Sequence, residues 1–220
     1  MMIEQTFQKI EKIRPKPDKT IAQCPIDNKS LKKRVNLIFE YFKSGKLLII
    51  GDDDLTTISL SQLSNLNLTV IEFDDRICDV ISTESNAKIL KFDLRNIYND
   101  IWPKIDNKFD GFLTDPPYTA DGMKIFISVG IRNIKLNGLG FIACPYMLNK
   151  KESLDLMRET INFITSNGCT VERIIPFFHN YINSVKSSML VIRKIEERKI
   201  NFDFLKGFKN FYPIAYSKEI

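Results

Sequence analysis

From residue 47 onward the chain repeats one pattern: a short run of Leu, Ile, Val and Phe, a polar turn, then apolar positions at helical spacing. The apolar runs fall at residues 47–50, 68–73, 89–92, 109–114 and 139–144, and helical segments fit at 55–63, 75–83, 123–135 and 152–166. Strands alternating with helices predict right-handed crossovers and a mostly parallel sheet covered on both faces. After Gly168 the pattern changes. Residues 169–178 and 188–195 are β-rich and joined by a loop without a helix, which predicts an antiparallel pair closing one edge.

Five alternating strands and a hairpin give an α/β fold: a Rossmann-like, methyltransferase-type seven-stranded mostly parallel sheet, helices on both faces, with a C-terminal antiparallel hairpin. The 220 residues suit one domain with an appendage, and 44% hydrophobic with 27% charged residues is an ordinary globular composition. Before the repeat, Phe7, Ile10 and Ile13 recur at helical spacing, as a short helix or the remnant of a separate module, and Pro15 and Pro17 preclude a continuous helix. Leu31, Val35, Ile38, Phe39 and Phe42 predict a helix, with Asp27, Asn28 or Ser30 as its N-cap. The expected division is residues 1–27 as N-terminal segment and linker, and 28–220 as the catalytic domain. No run reaches the roughly 18 apolar residues of a membrane span, and the N-terminus lacks the pattern of a secretory signal. A cytoplasmic protein without a membrane partner is expected. Cys24, Cys78, Cys144 and Cys169 form no C-x-x-C pair, which suits reduced core residues rather than metal ligands.

In an open sheet of this kind ligands bind beyond the carboxyl ends of the strands. The residues expected there are Gly51-Asp52-Asp53-Asp54, Glu72 with Asp74 and Asp75, Asp93, and Asp115-Pro116-Pro117-Tyr118. Eight carboxylates would then surround one crevice in a chain whose net charge is +5. A site for a phosphate or an amino-acid carboxylate normally has several glycines in its first loop, where backbone N–H groups approach the anion. This loop has one glycine and three acids, so it suits a cation. Helix capping accounts for one acid of the three. Glu72 stands where an acid accepts from ribose hydroxyls, and Asp93 is placed for an adenine amino group; Asp74, Asp75 and Asp93 equally suit helix caps. The paired prolines stiffen the strand end that carries Asp115. In amino methyltransferases a [DNS]-P-P-[YFW] tetrapeptide orients a target amine and stacks its base on the aromatic ring, so an amine nucleophile is indicated.

Arg14-Pro15-x-Pro17 through Gln23, the helix at 31–42, Gly51 to Thr56, Ile71 to Arg76, Phe92 to Asn96 and Thr114 to Pro117 together resemble the catalytic domain of the branched-chain polyamine synthases, the N4-bis(aminopropyl)spermidine synthases, over about residues 14–195. The resemblance implies aminopropyl transfer from decarboxylated S-adenosylmethionine to the secondary amine of spermidine, releasing methylthioadenosine. An acid-lined crevice complements that donor, which carries a sulfonium and an ammonium but no carboxylate, and a polycationic acceptor. Two departures stand out: Tyr118 occupies the place of the family's usual Glu, and the family's N-terminal winged-helix-like module is absent or reduced to about the first 13 residues.

On this reading Asp54 holds an ammonium, Asp53 and Asp115 assist deprotonation and orientation, and Gly51, Asp52, Glu72, Asp74, Asp93 and Pro116 form the donor site. No metal is expected. Tyr118, Tyr146 and His179 are candidate acceptor contacts, with packing the alternative for His179, the only histidine. The partner is a small polyamine, and a homodimer is compatible with the reading. The alternative enzyme is an S-adenosylmethionine-dependent amino methyltransferase acting on nucleic acid or a small amine, supported by the tetrapeptide at 115–118 and opposed by the acids at 52–54. A non-catalytic alternative is a nucleic-acid-binding module using basic residues of 29–34 and 186–199, runs more often found as solvated faces.

Overall fold

The computed structural model describes residues 2–106, 108–145, 150–200 and 202–206. Its sheet has seven strands: β1 (Ser44–Ile50), β2 (Asn65–Glu72), β3 (Lys88–Lys91), β4 (Phe109–Thr114), β5 (Ile134–Pro145), β6 (Cys169–Asn180) and β7 (Lys186–Lys194). They lie in the order β3-β2-β1-β4-β5-β7-β6. The pairings among β1 to β5 are parallel, and β7 runs antiparallel to both β5 and β6, which gives the predicted hairpin edge.

The central strands are apolar on both sides because both sides are covered. In β1, Leu47 and Ile49 join one apolar cluster while Leu48 and Ile50 join the other, following the two-residue period of a strand. Helices α1 (Met2–Ile13), α2 (Asn28–Tyr41), α3 (Thr56–Leu63) and α4 (Asp75–Glu84) pack on the first face, through residues such as Phe7, Ile10, Leu31, Val35, Ile58 and Ile77. Helices α5 (Ala120–Asn133) and α6 (Lys151–Ser166) pack on the second, through Met123, Ile127, Ile131, Met157 and Ile164. Asp27 caps α2 by accepting from the Ser30 N–H. All four cysteines are free; Cys78, Cys144 and Cys169 are buried.

Between α1 and α2 the chain crosses the carboxyl ends of the strands as a strap. Arg14 ties its start to the strap's end and to the first strand loop, donating to the carbonyls of Ile26 and Asp54. A bridge between Ile26 and Tyr181 anchors the far side to the residue that follows β6. Among the described residues no helix is long and apolar enough to cross a membrane.

Candidate active site

The crevice lies where the topology predicts, over the carboxyl ends of β1, β2, β3 and β4, beside the strap. It holds about 880 Å³ of space, open solvent included. Five acids line it, Asp52, Asp53, Glu72, Asp93 and Asp115, and no Lys, Arg or His is among the described lining residues. Apolar side chains at Ile71, Phe92, Leu94, Pro116 and Phe126 line it beside the acids. Three of the eight expected acids are elsewhere. Asp75 is exposed and pairs with Lys91. Asp74 caps α4, accepting from the Arg76 N–H, and binds Gln23 of the strap and the Arg76 guanidinium, which holds its carboxyl below the usual range.

Asp54 is the larger correction. It is buried at 2% exposure behind the crevice wall, where it accepts from the Ile26 N–H at 2.7 Å and pairs with Arg34. An acid whose oxygens are taken by a strap amide and a guanidinium does not face the crevice, so Asp54 is structural in this arrangement. Arg34 was the missing partner. It stands on α2 within the expected basic face of residues 29–34, yet it is 2% exposed. Its second Nη donates to Asp115 at 2.7 Å. Burial works against its charge, and Asp54 and Asp115 outweigh burial and keep it protonated. Lys194, in the other expected basic run, is likewise buried, donating to the carbonyls of Ile131 and Ile134.

The remaining acids differ in how their charge is met. Gly51 (φ +70°) and Leu55 (φ +56°) both adopt the left-handed region, and this double turn brings Asp52 under the first turn of α3. Asp52 accepts from the N–H groups of Thr56 at 2.8 Å and Thr57 at 3.0 Å; burial nevertheless pushes its carboxyl up to about 7. Glu72 takes three backbone N–H groups, from Asp52, Phe73 and Asp74, and burial raises it despite them. Asp93 both lines the crevice and caps the following 3-10 turn; Arg95 outweighs burial and lowers it. Asp53 has only the Cys24 N–H, at 3.0 Å, and no ion pair among the described residues. Burial first, then the charges of Asp54, Asp115 and Glu72, hold its carboxyl well above the usual range.

Asp115 accepts from the Tyr181 hydroxyl at 2.8 Å and from Tyr118 at 3.3 Å, and the two phenols touch each other. Burial raises Asp115, opposed by Arg34. Tyr118 and Pro116 line the crevice as expected; Tyr181, Cys24 and Val185 line it without having been anticipated. His179 does not line it. The imidazole is fully buried behind Tyr181, between Arg34 and Ser187, because a bulge in β6 sets it opposite Ser187. Tyr146 lies outside the described residues.

The description "Branched-chain polyamine synthase A C-terminal domain" matches residues 2–216. The chain belongs to that family. An N(4)-bis(aminopropyl)spermidine synthase from Thermococcus kodakarensis is 30% identical over 193 residues, covering 83% of this chain and 53% of that protein. The chain spans about half the length of the curated relatives it matches. Among solved structures, the branched-chain polyamine synthase from Thermus thermophilus, in complex with N4-aminopropylspermidine and 5'-methylthioadenosine, superposes with a TM-score of 0.75 at 19% identity, covering 91% of this chain and 67% of that one. A candidate RNA methyltransferase from Pyrococcus horikoshii gives 0.68 at 10% identity, covering 90% and 99%. Both likenesses carry the fold, a methyltransferase-type sheet shared by the polyamine synthase family and by methyltransferases.

Proposed function

We propose that this domain transfers an aminopropyl group from decarboxylated S-adenosylmethionine to a secondary amine of a spermidine-like polyamine, releasing methylthioadenosine. The observation that carries the reading is the crevice wall: five carboxylates and no cationic side chain among its described residues. A donor with a sulfonium and an ammonium, and an acceptor with several ammoniums, gain from that wall; an amino-acid carboxylate or a phosphate loses. Family membership supports the same reaction, as does the product pair held by the Thermus relative.

The acceptor nitrogen attacks the carbon bonded to sulfur, the N–C bond forms as the C–S bond breaks, and the electron pair goes to sulfur, leaving a neutral thioether that needs no proton. The attacking nitrogen must lose one proton, and Asp53 is the base. It lines the crevice with a single hydrogen bond, and burial and the neighbouring carboxylates raise its affinity for a proton. Asp115, oriented by Arg34 and Tyr181, holds the acceptor ammonium together with the phenol of Tyr118. Glu72 takes the ribose, Asp93 the adenine amino group, and the slot of Phe92, Leu94, Pro116 and Phe126 the adenine face. Most of the rate comes from alignment and charge complementarity.

The test is purified protein with decarboxylated S-adenosylmethionine and spermidine, followed by mass spectrometry. Methylthioadenosine and a spermidine heavier by one or two aminopropyl units are expected, and Asp53→Asn lowers kcat by about 100-fold or more. S-Adenosylhomocysteine formed from S-adenosylmethionine with an amine or nucleic acid would instead establish the methyltransferase reading that the tetrapeptide at 115–118 favours. No turnover with either donor would sink both.

A further inference from the structure

Arg34 has three donor directions, and each has a partner. Its two Nη groups meet Asp54 and Asp115, and its Nε donates to Nε2 of His179 at 3.1 Å. A guanidinium cannot accept, so Nε2 of His179 presents its lone pair and the ring proton sits on Nδ1. Nδ1–H then donates to Ser187 Oγ at 2.9 Å. The Ser187 hydroxyl, having accepted, is free to donate to the Tyr181 oxygen at 3.1 Å, and Tyr181 donates to Asp115 at 2.8 Å. Asp115 returns the chain to Arg34. Five side chains from α2, the end of β4, β6, β7 and the turn between them close one ring, in which Arg34 donates on both sides, Asp115 accepts on both sides, and His179, Ser187 and Tyr181 each accept from one neighbour and donate to the next.

We propose that His179 is a positioning residue for amine transfer: from behind the wall, through Ser187 and Tyr181 on one side and Arg34 on the other, it fixes the orientation of the Asp115 carboxylate toward the acceptor. Residues 179, 187 and 34 are each fully buried or nearly so, whereas Asp115 and Tyr181 line the crevice. A neutral acceptor suits the Arg34 Nε–H here. A third carboxylate on Arg34 would leave excess negative charge buried, and an apolar residue would leave the donor unpaired. Burial, with the Arg34 charge, holds the imidazole well below the usual histidine range, so the neutral form persists across physiological pH. The bulge in β6 that sets His179 opposite Ser187 holds Phe177 at φ +51°, an uncommon conformation for a bulky residue.

The functional part of this proposal rests on the aminopropyl-transfer reading, while the ring can be examined without turnover. In the wild-type enzyme, His179→Phe keeps the ring shape and removes both polar partners. Ser187→Ala severs the ring at a small residue and serves if the first variant does not fold. Each lowers kcat by about 10- to 100-fold and raises the KM of the amine, with the donor KM within about twofold. His179→Gln, which can both accept and donate, restores part of the rate. Added to Tyr181→Phe, His179→Phe costs little more, since the connection is already cut. Variants that keep wild-type kcat and amine KM, or that lose donor and amine binding alike, overturn the proposal. Because the chain has one histidine, nitrogen-15 NMR gives the independent arm: a neutral Nδ1–H imidazole whose resonance moves in Asp115→Asn and Tyr181→Phe is expected. A proton on Nε2, or a resonance indifferent to both substitutions, overturns the ring. If the wild type forms no methylthioadenosine the functional reading fails, and the NMR result still decides the ring.

Discussion

At the scale of single residues, Arg34 changes what the acid-rich loop means. Two of the carboxylates that the sequence assigns to one site, Asp54 and Asp115, share this guanidinium, so their charges are partly spent on the fold. Removing one partner of a buried ionic set leaves uncompensated charge, at a cost of about 3–5 kcal/mol. Arg34→Met is therefore expected to lower unfolding free energy by that amount in urea, and adding Asp54→Asn and Asp115→Asn to recover a large part of it. Unchanged stability in the single variant would contradict the ionic triad. The residue was readable in principle: Arg34 follows Leu31 by three and precedes Ile38 by four, placing it on the apolar face of α2 rather than with exposed Lys32 and Lys33. Reading it as one of a basic run hid that periodicity. His179 gave no such signal, since its burial depends on a bulge between distant strands.

At the scale of elements, the alternation of apolar runs with helical spacing made all seven strands and helices α2 to α6 legible, because the central strands are buried along most of their length and every helix buries at least one apolar face. Boundaries were less so. Strand β5 begins at Ile134, inside the expected helix, because α5 ends at Asn133 and passes directly into the strand. The left-handed backbone at Leu55, which aims Asp52 at α3, carries no compositional mark. Packing between α5 and the sheet supplies a test in which two effects oppose. Helix propensity predicts that Gly130→Ala gains about 1 kcal/mol. The added Cβ would lie 2.4 Å from the Phe112 ring, which is fully buried and has no room to retreat. Overpacking costs about 1–3 kcal/mol, so the variant is expected to unfold at lower temperature than the wild type; a higher melting temperature would show that α5 can shift.

At the scale of the whole molecule, a chain of net charge +5 keeps an acidic crevice unneutralised. The acids there were foreseen as a class; their division into Asp53, which lines the crevice with one strap N–H, and Asp54, taken up by a strap N–H and Arg34, was not, because it depends on where residues 14–27 cross the sheet. The raised carboxyls set a pH dependence. A carboxyl whose folded value exceeds its unfolded value of about 4 contributes stability that is complete below that value and lost as pH rises through the folded one. For Asp52, pushed up to about 7, stability falls as pH rises from about 4 through about 7, and Asp53 and Glu72, raised in the same direction, add to the fall. Above about pH 6.5, where the buried neutral His179 no longer favours higher pH, melting temperature is expected to fall from pH 6.5 to pH 8, with spermidine restoring the most at pH 8 and Asp53→Asn flattening the trend. A rise with pH would contradict the charge balance. The most direct measurement is calorimetric binding of decarboxylated S-adenosylmethionine and S-adenosylmethionine to the same protein. At an effective dielectric near 20, one carboxylate set about 4 Å from an unpaired acid loses about 4 kcal/mol, so the decarboxylated donor is expected to bind at least about 100-fold tighter. Equal affinities, or a preference for the amino acid form, would contradict the account.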